Sequence, residues 1–147
     1  MQVSDTPAWN DQDVCDRVIA HMQEAVIVVD RNEIVRLWNP GAEKLFGYAA
    51  HEALGRNLDL IVPERLRQAH SSGFRKAVDT GHTKYDGKVM TTRSTHKNGN
   101  KIYVDLSFAL LRDDTGAIMG VSAVARDCTA SYLAAQASRA TSGSSGS

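Results

Sequence analysis

The sequence predicts an α+β domain in which one antiparallel sheet carries helices over a single face. Three observations lead there. Two short β-branched runs open the domain, helical patterning fills its middle, and three strand-like runs close it. A chain of 147 residues has room for one core and one sheet, so the helices must share one of its faces.

The elements follow in order. NDQDVCDRVIAHMQ reads as a short helix capped by Asn10 or Asp11, with Val14, Val18, Ile19 and Met22 as its apolar stripe. AVIVVD and EIVRLW, two runs around Asp-Arg-Asn, read as a hairpin over residues 25–38. NPGAEKLFGY begins a helix: Asn39 caps it, Pro40 takes the first helical position and Gly47 ends it. AAHEALGRNL is a further helical turn ended by Gly55. The longest helical pattern runs from Pro63 to Gly81. Helical throughout, it sets Leu66, His70, Gly73 and Ala77 on one face, with Phe74 one turn on from His70.

From residue 87 the pattern turns to strands. KNGN supplies an Asn-Gly hairpin signal and RDDTGA a longer turn. In the middle strand Ile102, Val104, Leu106, Phe108 and Leu110 alternate with Tyr103, Asp105, Ser107 and Ala109. That period of two sets one apolar row on the covered face of the sheet. Met90 and Met119 read as core residues beside it. CTASYLAAQASRA reads as an outgoing helix and TSGSSGS as a flexible tail. The organisation is a flanking helix over residues 1–22, a domain over 23–131, and a helix remnant with its tail over 132–147.

Lys plus Arg equals Asp plus Glu at 17 each, so the chain has no net field to attract nucleic acid or an anionic membrane. No apolar run approaches the roughly 18 residues of a membrane span, and no signal-peptide pattern opens the chain. A cytoplasmic protein is expected. Cys15 and Cys128 are far apart in sequence and read as reduced thiols. His21, His51, His82 and His96 lack metal-ligand spacing, and no carboxylate pair or Ser-His-Asp set is apparent. A regulatory domain is expected rather than an enzyme.

The words AVIVVDRNEIVRLWNPGAEKLFGY, ALGRNLDLIVPERLR, HKNGNKIYVDLS and VARDCTA, in this order over residues 23–131, resemble the PAS sensor domain. The resemblance implies a five-stranded antiparallel sheet of order 2-1-5-4-3 with helices over one face. It also implies a sensory module for signal transduction, with an output domain or a two-component partner kinase elsewhere. Asp127 and Thr129 resemble the family's D-x-T word, in which Thr129 would cap the outgoing helix and Asp127 would pair with a basic residue such as Arg126. The flavin-binding LOV branch carries a reactive cysteine in its helical region. This chain has none there, so flavin is not expected.

PERLRQAHSSGF is similar to the helix of the haem-binding, oxygen-sensing PAS branch. By that resemblance His70 is the proximal iron ligand of haem b, a role imidazole fills well. Gly73 would let a flat group approach, and Phe74, Met90, Val104, Leu106 and Phe108 would line the pocket. The distal residues of the branch are not copied: Met90 occupies the position of its arginine, and Lys88 that of its methionine. Arg93 is a candidate donor to a bound gas, and Lys76 and Lys84 are candidates for the propionates. Two other functions fit the same words: a cofactor-free dimerisation or protein-interaction module, and a sensor of a small apolar metabolite. A homodimer through the N-terminal helix and the sheet is expected.

Overall fold

In the computed structural model the described residues are 9–145, with side chains through Thr141; the part of the N-terminal segment before Trp9 lies outside them. Helix α1 (Asp11–His21) leads into strands β1 (Ala25–Asp30) and β2 (Val35–Trp38). Helices α2 (Pro40–Phe46), α3 (Ala50–Ala53) and α4 (Arg67–Thr80) follow, with single 3-10 turns at Leu58–Ile61 and Glu64–Leu66. Strands β3 (Met90–Thr95), β4 (Lys101–Arg112) and β5 (Ile118–Asp127) precede helix α5 (Thr129–Ser145). The sheet has the order β2-β1-β5-β4-β3 with antiparallel neighbours throughout. This is the predicted architecture.

Local chemistry fixes the helix ends. The Asn10 side chain accepts the Asp13 amide, and Asn39 accepts that of Ala42. Gly47 at φ 83° and Gly81 at φ 71° end α2 and α4 in the left-handed conformation, which costs glycine nothing. Asn39 does more than cap. Its Oδ1 accepts the amides of Val26 and Ala42, and its Nδ2 donates to the carbonyls of Ile19 and Glu24. One buried side chain thereby ties α1, β1 and α2 together.

The inner face of the sheet is set by register. Trp38 lies opposite Ile27, Leu106 between Ala125 and Met90, and Phe108 opposite Ala123. The dense core occupies the β2-β1-β5 half, where Ile27, Val29, Val35, Trp38, Ala42 and Phe46 are buried together. The β4-β3 half is looser. Val104 and Ser94 are buried there, but Ile102, Leu106, Phe108 and Met90 are only half-buried. Within α4, Val78 alone is fully buried.

Gly41 lies where α2 crosses the link between α1 and β1. A Cβ there would run into the carbonyls of Gln23 and Glu24, which are backbone and cannot swing aside. Gly41→Ala is expected to destabilise the domain by about 3 kcal/mol, the upper range for overpacking. A urea midpoint equal to the parent's would refute the close approach.

Several expectations are corrected. Strand β2 begins at Val35, not Glu33, because the turn before it extends through Glu33. Residues 64–66 form a 3-10 turn, so the helical phase starts afresh at Arg67. Leu66 is consequently exposed; α4 turns His70, Ser71, Phe74, Ala77 and Val78 inward, and Gly73, on the flank of that face, is exposed. Met119 is exposed because β5 turns it to the outer side of its end. Arg93 pairs in register with Tyr103, on the opposite face from the inner row. Asp127 accepts from the amide and hydroxyl of Thr129, while Arg126 pairs with Glu24 instead. Thr129 Oγ1 in turn accepts the amide of Tyr103 on β4. Helix α5 continues to Ser145, into the segment read as a flexible tail. No helix among the described residues is long and apolar enough to cross a membrane.

Candidate functional site

The site starts from the turn between β1 and β2. Asp30 Oδ1 accepts the amides of Asn32 and Ile34, and Oδ2 binds the Arg36 guanidinium. Partial burial pushes the Asp30 carboxyl up, but these hydrogen bonds together outweigh it and hold its pKa below the usual range. The turn they build leaves Glu33 at φ 63°, the only non-glycine positive φ among the described residues. A side chain this large in the left-handed region costs about 1 kcal/mol or more. The backbone there favours glycine or asparagine, yet a glutamate occupies it.

That glutamate points at α4. Its Oε2 accepts the Ser71 hydroxyl at 3.0 Å, from 38 residues along the chain. Its Oε1 is buried without a hydrogen-bond partner, and His70 Nδ1 lies 3.4 Å away. The carboxylate is enclosed, with 11% of its side chain exposed, whereas the imidazole is 37% exposed. A carboxylate beside Nδ1 favours the tautomer that carries its proton there, which leaves Nε2 with a free lone pair. The pair is thus an imidazole set beside a buried acid that favours one tautomer.

The rest of the predicted set divides into two groups. Phe74 and Leu106 pack against the same core cluster, and Val104 belongs to that cluster outright. Met90 lies beside Leu106 across the β3–β4 ladder. Phe108 meets Tyr85, from the α4–β3 connection, edge to face at 6.4 Å between centroids. Opposite Leu106 and Phe108, β5 presents the small side chains of Ala125 and Ala123, with Val121 next on the same face. Gly73 is exposed, with open space where a side chain would be. The polar group that His70 meets is the Glu33 carboxylate. Two hollows, of about 310 and 230 Å³, lie elsewhere: one beside Glu24, Gly41 and Arg126, the other beside Gly81, Asp86 and Arg112.

The other reactive groups are accounted for. His96 accepts the Asn98 amide in the β3–β4 turn and packs against Gly47. Cys15 is exposed on α1, and Cys128 sits just before α5. Burial, then the neighbouring Asp105, push the Cys128 thiol up and away from the reactive thiolate. Neither cysteine belongs to α2, α3 or α4. No group of three or more His, Cys, Asp or Glu poised for a metal occurs among the described residues. Sequence reading did not find Glu33, Ser71 or Tyr85. Only the positive φ marks Glu33, and that is invisible before the turn is built.

A model of the PAS fold family matches residues 19–133. The chain is 31% identical over 103 residues to the oxygen sensor protein DosP of Escherichia coli K12. That alignment covers 70% of this chain and 13% of DosP, so the chain spans about one eighth of that relative's length. Among solved structures, the PAS domain of a protein from Colwellia psychrerythraea superposes with a TM-score of 0.71 at 19% identity. The match covers 82% of this chain and 98% of that one. An RNA-binding light-oxygen-voltage receptor superposes at 0.64 with 22% identity, over 88% of this chain and 38% of its own. At such identities the two structures speak to the fold alone.

Proposed function

This chain belongs to the PAS fold family and is a PAS sensory domain, and from that premise we propose that it senses a gas or redox state through haem b bound by His70. The observation that carries the reading is the buried Glu33 carboxylate beside His70 Nδ1. Histidines that ligate metals commonly give their second nitrogen to such a carboxylate, which fixes the ring and strengthens the ligand. An exposed surface histidine has no use for an enclosed acid held in a costly backbone conformation. The donor set fits haem: one imidazole, with apolar side chains along β4 and the small side chains of Ala123 and Ala125 on β5. Haem held by a single imidazole keeps a coordination position for a diatomic gas. Leu106, Phe108 and Met90 would exclude water there, while Phe74 and Val104 would close the pocket's depth. Similarity to a protein named as an oxygen sensor supports the same class of signal.

The reading extends to the flanks. Two copies would pair through α1, whose Val18 is exposed as is Trp9 just before it, and through the outer face of the sheet. A separate output domain or kinase would receive the signal in the cytoplasm.

Haem titration of the chain tests the proposal. A Soret band that saturates at one haem per chain is expected. Glu33→Ala should weaken haem retention about tenfold, the low end for loss of such a supporting acid. A colourless protein after titration with excess haem would remove the haem reading and leave the sensory domain in place.

A further inference from the structure

The connection between α4 and β3 is held in an unusual way. Among the described residues, every hydrogen bond made by residues 83–88 closes within that segment. Tyr85 N donates to Thr83 Oγ1, Asp86 N to the Thr83 carbonyl, and Lys88 N to the Tyr85 carbonyl. Gly87 at φ 72° lets the segment double back. The side-chain contact that joins it to the sheet is the edge-to-face packing of Tyr85 on Phe108. Lys84 Nζ lies 5.1 Å from the same ring and leaves the phenol between a cation and an apolar wall. Phe108 is a residue of the looser half of the inner face, so through Tyr85 the segment bears on the proposed pocket.

From this geometry we infer that Tyr85 is a latch: its ring holds the 83–88 segment against Phe108, and release of that ring admits and discharges the small ligand. The inference rests on the sensory reading of the inner face, and the latch itself is measurable without any cofactor. The hydrogen bonds of residues 83–88 do not reach the sheet, and the nearest tie, the Arg112 guanidinium on the Gly81 carbonyl, holds the hinge end of the loop rather than its tip. The ring contact therefore weights the opening of the tip. The ring, not the hydroxyl, makes the contact with Phe108. Tyr85→Phe should therefore behave as the parent, and Tyr85→Ala should not.

Amide hydrogen exchange on the full haem-free chain reads the latch. In Tyr85→Ala the amides of 83–88 should exchange about fivefold faster, as expected for loss of one aromatic pair. Those of β1 and β5 should be unchanged, and Tyr85→Phe should restore the parent rate. Unchanged exchange in Tyr85→Ala, or failure of phenylalanine to restore it, overturns the latch. In haem-loaded protein, carbon monoxide rebinding after photolysis should be faster in Tyr85→Ala and parental in Tyr85→Phe. Equal rebinding rates in the loaded proteins overturn the gate. A chain that takes up no haem ends the haem reading, and the exchange result then decides the latch alone.

Discussion

His70→Ala should abolish the Soret band that haem titration produces, with apparent affinity falling at least a hundredfold. The size follows from removing the sole protein ligand to the iron while the apolar contacts remain. His70 is 37% exposed at its side chain, so its truncation should cost the fold no more than about 1 kcal/mol. Loss of the band would then report on ligation and not on unfolding. Two controls sharpen it. Millimolar imidazole added to His70→Ala should restore much of the band, because a free ring can take the vacated position. The same substitution at His96, which is occupied by the Asn98 amide in a turn, should leave the spectrum alone. Full Soret intensity in His70→Ala at parental affinity would sink the assignment.

Glu33 makes the argument more than a count of histidines. Burial of a carboxylate with one oxygen unsatisfied costs about 1–3 kcal/mol, and its backbone adds strain. The Ser71 hydrogen bond ties this turn to α4, but it uses the other oxygen and leaves Oε1 unsatisfied. Retention of the acid makes sense where the neighbouring imidazole has a task that a held ring of fixed tautomer performs better.

The fold was largely legible because its signals are local. AVIVVD is a strand by its β-branching, Asn39-Pro40 and Gly47 punctuate α2, and Asn98-Gly99 turns β3 into β4. Alternation along β4 identified the inner row, since a period of two has one solution once one face is covered. The helical face of residues 63–81 was legible at His70, Phe74 and Ala77 and not at Leu66. A 3-10 turn advances about 120° per residue against about 100° for an α-helix, so residues 64–66 rotate Leu66 away from the face that α4 keeps, and Gly73 lies at the edge of that face. Glu33 was illegible because its partner is distant in sequence and its conformation depends on Asp30 organising the turn. Tyr85 was illegible because a loop aromatic carries no period. The D-x-T word was recognised, but its partners were not: Thr129 bonds Tyr103 across the strand, and Arg126 finds Glu24 beyond β1.

Asn39→Ala should be the most damaging single truncation away from the pocket, lowering stability by about 3 kcal/mol. The side chain is buried, and all four of its hydrogen-bonding positions are used. Alanine removes the cap of α2 and orphans the buried amide of Val26, and it leaves the carbonyls of Ile19 and Glu24 without their shared donor. Asn39→Ser separates these roles. A serine oxygen can still cap α2, so about 1 kcal/mol should return, but it lacks the amide's two donors. Denaturant midpoints should therefore rank parent, serine, alanine. Amide exchange in α1 should stay fast in both variants, because Nδ2 is what fastens the helix to the sheet. A parental midpoint in Asn39→Ala would disprove the ranking. Exchange in α1 that returns to the parent rate in Asn39→Ser would place the attachment elsewhere, in the Glu24–Arg126 pair that joins the same link to the end of β5. Asn39 lies between a flanking helix and the strand beside β5, so any displacement of the sheet reaches α1 through it. That makes it the position at which loss of stability and loss of signal relay should coincide.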